Sequence, residues 1–376
     1  AKARHIFSER VLTVADGLVY ASARHYTEAA ASAIVGHDRT GRALSAERRL
    51  IVARRTPDGL VCFSPAGTLT RDELDLVTEH FNPQCLACLL PGKVVNVGET
   101  WTIAASAAEA ACLFDVIVKS QLTGKLTTLK DGIASFTVDG TAEGIENGAK
   151  TTVTVNATGS FDIAAARITE LKWKQKDERE QGPASPASKV EATILLKREA
   201  LAELPMELSD DAMAKLPQGN IPARLLDIRY ADPQGRYSIV HPRDWHVTGQ
   251  TDAHLVLRLV DRGEFVAQAT VSAWRKMEPG KHTSADDFKK ALVDLPGWKS
   301  ERVLAEGELP AGEGRWLFRL SAEGKIDSQP VVQTFYLLAG PRGDQVAVTI
   351  AVTPEKFKAL GTRDAELVRA IVFGKQ

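Results

Sequence analysis

The runs VIVKSQLTGKLTTL (116–129), GIASFTVDG (132–140), KTTVTVNATGSFD (150–162), RITELKWKQKDER (167–179) and KVEATILLKRE (189–199) decide the fold class of this chain. KDG, GIENG, DIAAA and GPASPAS separate them, and Gly, Asn, Asp and Pro are turn formers. About five strands at hairpin spacing follow. In the fourth run Thr169, Leu171, Trp173 and Gln175 alternate with Glu170, Lys172, Lys174 and Lys176. Successive strand side chains point to opposite faces, so this pattern predicts a sheet with one buried and one wet face.

Upstream, IFSERVLTV (6–14) and LIVA (50–53) read as strands. Arg48-Arg49 and Arg54-Arg55 bracket the second and read as solvated strand ends ahead of a basic patch. Thr70 and Glu73 have capping-box spacing, so each side chain can reach a free backbone N–H of a first helical turn. Leu74, Val77 and Phe81 then form one apolar stripe, and Asn82-Pro83 ends it. Ser106 and Glu109 repeat the spacing ahead of an Ala-rich segment through Cys112 and Phe114. Helices near 71–81 and 107–114 are therefore expected to cover the buried face of a mainly-β domain spanning 1–200.

Residues 201–227 read as a linker with a short helix near 209–216, flanked by Pro205 and Pro222. Beyond it, 228–376 opens with RYADPQGRYSIVHPRDWHV. HLVLRLVD and EFVAQATVSAW follow, joined at Arg262-Gly263, then a helix capped by Ser284 with Phe288, Ala291, Leu292 and Leu295 on one face. Strand runs GRWLFRLSAE, PVVQTFYLLAG and DQVAVTIAV come next. Thr353-Pro354 starts a short helix, and a last helix runs from 363 to near Phe373-Gly374. Strands, helix, strands, helix is the order of an α+β layered domain.

Charge excludes some classes. Of 376 residues, 47 are Lys or Arg and 48 Asp or Glu; the first 200 residues hold 24 of each sign and the rest 23 and 24. Binding dominated by nucleic-acid phosphates or anionic lipid needs a cationic excess, which neither half has. No apolar run approaches the roughly 18 residues of a membrane span. A start at Ala1-Lys2-Ala3-Arg4 without Met reads as a chain whose signal peptide was removed, and a first residue other than Cys speaks against a lipid-anchored lipoprotein.

Catalytic signatures are missing. There is no Gly-x-Ser-x-Gly elbow, no His-Glu-x-x-His, no phosphate loop and no GxGxxG fingerprint. Cys85-Leu86-Ala87-Cys88 is the one recognised chemical spacing, and Cys62 and Cys112 complete the cysteines. These read first as candidate disulfides, then as reduced core thiols, then as a redox pair or a zinc site. A redox thiolate would want a helix N-terminus, and Pro91 leaves little room for a helix. His241, Asp244 and His246 around Trp245 could hold a metal, but read as a strand end and turn. Lys176, Asp177, Glu178 and Glu180 read as a solvated face ahead of paired acid–base carboxylates. Trp173, Trp274, Trp298 and Trp316 could line a ligand groove, but core or rim packing comes first. No catalytic, cofactor-binding or metal-ligating residue is assigned.

Residues 228–376 resemble the PsbP-like family, whose fold is shared with a Ran-binding Mog-type protein. Tyr237-Ser238-Ile239, Pro242, Trp245-His246-Val247, the strand QTFYLLAGPRGDQVAVTI and the closing IVF carry the resemblance. It implies an α/β sandwich and an accessory or binding module rather than an enzyme. Leu90-Pro91-Gly92-Lys93 and Val97-Gly98-Glu99-Thr100-Trp101 resemble uncharacterised exported proteins of planctomycete-type bacteria. The expectation is an α+β protein: a mainly antiparallel β domain with two short covering helices, then a PsbP-like sandwich. It is expected to be secreted, periplasmic or in the cell envelope, to use no cofactor, and to be a non-catalytic binding or accessory protein. A protein partner or self-association is expected, and a small apolar ligand is compatible. The alternatives are a structural subunit of an envelope assembly and a hydrolase with a scattered site.

Overall fold

The computed structural model describes residues 1–374 apart from 16, 17, 57, 58, 79–81, 147, 294 and 313. The chain is an α+β protein dominated by antiparallel sheets. It divides into two compact units, Ala1–Leu226 and Asp227–Gln376.

The first unit holds two sheets. One is built from β1 (Lys2–Ala15), β2 (Leu18–Val35), β3 (Asp38–Ala43), β4 (Leu50–Thr56) and β5 (Gly59–Phe63), in the order β1-β2-β4-β5 with β3 also on β2. Its two faces differ because side chains alternate. Ala23, Val52 and Phe63 meet Leu208, Leu216 and Leu225 on one face. Those leucines belong to 206–226, which includes α3 (Asp210–Ala214) and α4 (Ala223–Leu226). Three buried leucines at roughly 1.5–3 kcal/mol each suffice to dock a stretch with the composition of a linker. Arg54 adds to the clasp by donating to Gly219 O at 2.7 Å and Pro217 O at 2.9 Å. The other face presents Ser22, Arg24 and Tyr26.

The second sheet comprises β6 (Thr100–Thr102), β7 (Val116–Ser120), β8 (Thr123–Lys130), β9 (Ile133–Glu146), β10 (Ala149–Asp162), β11 (Arg167–Arg179) and β12 (Ser188–Lys197), in the order β12-β11-β10-β9-β8-β6 with β7 on β9. Leu171, Trp173 and Gln175 are buried on one face and Lys172, Lys174 and Lys176 exposed on the other. Rings lie flat on this sheet where the cross-strand partner is glycine. Trp101 is paired with Gly124, where an added Cβ would come within 2.2 Å of the indole. Phe136 is paired with Gly159 in the same way, at 2.4 Å.

The covering helices divide differently from expectation. α1 (Arg71–Thr78) packs against β2, β3 and β5 of the first sheet. Its capping box forms: Thr70 N donates to Glu73 Oε2 at 2.9 Å and Glu73 N to Thr70 Oγ1 at 3.2 Å. Leu74 and Val77 are buried, while Phe81 lies outside the described residues. The second sheet is covered by α2 (Ala105–Cys112) and by the 3-10 helix Pro83–Leu89. The Ser106–Glu109 box is not formed, because α2 begins at Ala105 with Ala104 as its N-cap and Ser106 falls inside the first turn.

The second unit has a small sheet of β13 (Ile228–Ala231), β14 (Tyr237–His241) and β22 (Ile371–Phe373), and a large one of β15 (Trp245–Gln250), β16 (His254–Asp261), β17 (Glu264–Trp274), β18 (Trp298–Leu309), β19 (Trp316–Ile326), β20 (Gln329–Ala339) and β21 (Gln345–Val352). The large sheet runs β15-β16-β17-β21-β20-β19-β18. Arg262 and Gly263 both take positive φ in the β16–β17 turn, as a tight hairpin requires. One cluster packs Leu257, Ala269, Tyr336 and Val348 with Trp245, Ile239 and Val368; another packs α5 (Ala285–Val293) onto Phe318, Phe335 and Leu337. After α6 (Phe357–Leu360), α7 (Arg363–Arg369) stops short of the expected helix end. Residues 371–373 instead pair with β14, where the β-branched Ile371 and Val372 favour a strand.

Candidate functional site

A cleft of about 260 Å³ opens in the second unit between the end of β17 and α5, lined by Ala273, Trp274, Arg275, Asp287 and Ala291. Its walls are fixed locally. Ser284 caps α5: Asp287 N donates to Ser284 Oγ at 3.1 Å, and Ser284 Oγ donates to Asp287 Oδ2 at 2.8 Å. Phe288 anchors the helix and meets the Trp274 ring edge-on, 5.5 Å between centroids. Gln345 holds the other wall. Its Nε2 donates to Arg275 O at 2.6 Å and Thr283 Oγ1 at 3.1 Å, while Thr283 N donates to its Oε1 at 2.8 Å. Arg275 Nε donates to Thr283 Oγ1 at 3.1 Å.

The Trp274 Nε1–H is buried and has no hydrogen-bond partner among the described residues. An indole N–H withdrawn from water normally finds an acceptor. The cleft thus combines methyl groups, an aromatic wall, a guanidinium and a carboxylate, with the unused indole donor enclosed behind the wall. Convergence of a few polar groups on an apolar recess is the usual composition of a small-molecule site. Of its lining, Trp274 was recognisable in the sequence as a groove candidate. Arg275 and Asp287 were not, because the loop that brings them together has no spacing signature.

The other tryptophans are packing residues. Trp173 is fully buried and its Nε1 donates to Gln175 Oε1 at 2.7 Å. Trp298 meets Phe335 edge-on, and Trp316 stacks on His282 at 3.8 Å.

A buried polar network occupies the Arg24 face of the first sheet. Arg24 donates to Glu9 Oε1 at 2.8 Å and to Asn82 Oδ1 at 3.4 Å, and the Phe7 ring lies 5.6 Å from its guanidinium carbon. Gln84 Nε2 donates to Ser22 Oγ at 2.9 Å and Ala53 O at 3.0 Å. Burial works to lower the Arg24 pKa, but the Glu9 charge and neighbouring acidic groups outweigh it and the net shift is upward. Burial pushes the Tyr26 phenol up to about 12 against the pull of Arg24. Glu9, Ser22, Arg24 and Gln84 are joined by hydrogen bonds, while Asn82 Nδ2 and Gln84 Oε1 find no partner among the described residues.

No disulfide joins the candidate cysteines Cys62, Cys85, Cys88 and Cys112. Cys85 and Cys88 share the 3-10 helix, Cys112 ends α2, and Cys62 lies in β5 on the other sheet. Cys85, Cys88 and Cys112 belong to the apolar core beneath the second sheet, where they pack as small hydrophobes. Burial pushes the Cys85 thiol far up, Cys112 up to about 12, and the half-buried Cys88 upward as well. No cluster of three potential metal-ligating side chains occurs among the described residues.

The remaining sequence candidates are also occupied. His241 is buried with Nδ1 2.8 Å from Pro242 O, and Asp244 accepts from Arg363 at 3.4 Å. Lys176 pairs with Glu191 at 2.7 Å and Glu178 with Lys189 at 3.1 Å across β11 and β12. Asp177 accepts from Gln175 Nε2 at 2.9 Å. Arg48 donates to Thr68 O at 3.2 Å and Arg55 to Val19 O at 3.1 Å.

No family model and no curated protein matches the chain. Among solved structures it is similar to a protein from Bacteroides thetaiotaomicron at 10% identity and a TM-score of 0.29, over 39% of this chain and 48% of that one, so it spans about half of that neighbour's length. Cyanobacterial PsbP from Synechocystis is also similar, at 13% identity and a TM-score of 0.29, over 42% of this chain and 97% of that one. A protein of unknown function from Pseudomonas aeruginosa follows at 12% identity and a TM-score of 0.27, over 40% and 99%. At such TM-scores these likenesses carry no argument about function.

Proposed function

We propose that this chain is a non-catalytic, exported binding or accessory protein, and that its second unit takes a small ligand in the cleft beside Trp274. The unpartnered indole N–H carries the proposal. A ligand that presents an apolar or aromatic body to Ala273 and Ala291, sets a carboxylate near Arg275 and away from Asp287, and draws the enclosed indole N–H towards an acceptor fits the cleft. Benzoate is the simplest molecule of that description. The PsbP-like assignment of 228–376 belongs to the same proposal. It rests on Tyr237-Ser238-Ile239 in β14, Pro242 in the following turn and Trp245-His246-Val247 in β15, a pattern shared by accessory modules.

The Trp274 indole N–H resonance of ¹⁵N-labelled protein should move saturably as benzoate is added, and should not move in Ala291→Phe, whose ring fills the cleft. A resonance indifferent to benzoate, or one that moves equally in Ala291→Phe, overturns the site. Fractionation of the native host tests the exported location; protein confined to the cytoplasm overturns that part.

A further inference from the structure

We propose that β12 is a docking edge for a second copy of this chain, the two β12 strands pairing antiparallel about a two-fold axis at Ile194. The proposal is independent of the Trp274 cleft, which lies in the other unit.

An outer strand leaves one row of backbone N–H and C=O groups without a sheet partner, and proteins usually blunt such edges with bulges, charge or short length. The two outer strands longer than β12, β1 and β18, are blunted, and so is the short β15. β1 has register shifts at Ile6/Phe7, Val11/Thr13 and Thr13/Val14. β18 has them at Ser300/Arg302 and Val303/Ala305, and β15 at Val247/Gly249. β12 has none: its ladder with β11 runs unbroken from Ser188 opposite Arg179 to Lys197 opposite Glu170. A regular ladder on one side leaves a regular row of groups on the other.

The apolar layer is also unfinished at β12. Leu171 and Trp173 on β11 are fully buried. Their cross-strand partners Leu196 and Ile194 are only partly covered, as is Ala192, and Val190 on the same side is 45% exposed. On the opposite face Leu195 is 73% exposed. One more strand beyond β12 would complete the layer.

The charge pattern selects the occupant and the register. With the two-fold at Ile194, Glu191 faces Lys197 of the second copy and Lys189 faces Glu199, each twice by symmetry. Ala192 faces Leu196, and Ile194 faces its own copy on the half-open layer. Moving the axis one residue to Thr193 sets Lys189 against Lys197, and moving it to Leu195 sets Glu191 against Glu199. Like charges directly opposite in a ladder are unfavourable. The existing pairs of Glu191 with Lys176 and Lys197 with Glu170 are exposed and weak, so they can share their charges.

Sedimentation equilibrium of the full chain should show a dimer at about 0.1 mM. Glu191→Lys and Lys197→Glu should each weaken it about tenfold, since each puts like charges opposite at two places. The double variant should recover most of that loss, a rescue that general destabilisation of the fold cannot produce. Amide exchange in β12 of the unmodified chain should slow as concentration rises, with β18 unchanged, which keeps the proposal open to test even where a variant folds poorly. A monomer at that concentration, or a dimer indifferent to all three variants, or one whose β12 amides exchange at a concentration-independent rate, overturns it.

Discussion

Glu9 and Arg24 stand directly opposite one another on β1 and β2, and Arg24 donates from Nε to Glu9 Oε1 at 2.8 Å with only 2% of its side chain exposed. Arg24 also donates to Asn82 Oδ1, and Ser22 donates to Glu9 Oε1 while accepting from Gln84 Nε2; Asn82 and Gln84 sit where the chain crosses from the first sheet to the second. Removing one partner of such a pair leaves an uncompensated charge away from water. Glu9→Ala should therefore cost roughly 3–5 kcal/mol. The double change Glu9→Leu with Arg24→Met should cost less than Glu9→Ala alone, because it removes both charges. Urea unfolding of the full chain gives both values. A Glu9→Ala loss below about 1 kcal/mol would place this pair with weak surface ion pairs.

The same strand pair explains what the sequence could and could not disclose. Runs 132–199 were legible because alternation and turn residues agree, as in β11, whose Leu171, Trp173 and Gln175 face inward. β2 was not. Residues 21–33 contain six alanines, at 21, 23, 29, 30, 31 and 33, so the apolar face lacks contrast with the polar one. Alanine favours helix in isolation. The segment is nevertheless a strand because β1, β3 and β4 all pair with it, a tertiary preference no local window contains. β18 escaped for the opposite reason: WKSERVLAEGEL is almost wholly exposed, and its two bulges break the period. The candidate site was half legible for a related reason. Trp274 is conspicuous by type, whereas Arg275 and Asp287 gain meaning only when Gln345 fixes the loop between them.

The thiols give a chemical prediction. Burial raises the pKa of Cys85, Cys88 and Cys112, so each carries less of the reactive thiolate than an exposed cysteine, and the buried Cys85 and Cys112 are also closed to reagent. Cys88 is the one of these three that is only half-buried. Brief iodoacetamide treatment of folded protein should therefore add one group, at Cys88, and four after denaturation. Intact mass and peptide mapping decide; fewer than four additions in denaturant without reductant would mean a disulfide is present. Because the folded pKa values lie above the unfolded value of about 8.5, these thiols favour the folded state at neutral pH. That contribution declines as pH rises beyond about 8.5, where only the unfolded chain ionises.

Glu73 gives the complementary prediction in acid. It is 7% exposed and accepts from Thr70 N at 2.9 Å, from Ser45 N at 3.2 Å and from Ser45 Oγ at 2.5 Å. Burial alone would raise its pKa, but these hydrogen bonds to Ser45 and Thr70 outweigh it and the net shift is downward. A depressed folded pKa means that the carboxylate stabilises the fold above its unfolded pKa of about 4.3. That stabilisation is lost as pH falls from there through the lower folded value. Asp75, two residues further along α1, runs the other way. Its pKa is raised by burial despite Arg71 and Arg42, so it favours the folded state in acid. Total stability against pH therefore mixes both slopes, and the difference between Glu73→Gln and the unmodified chain isolates the first. Glutamine keeps the volume and one acceptor but loses the charge that strengthens three hydrogen bonds. The variant should be less stable by about 1–2 kcal/mol at pH 7. The gap should narrow below pH about 4, when the Glu73 carboxyl is itself neutral. Urea midpoints across that range measure it, and curves that stay parallel into acid would mean that the charge takes no part in the cap.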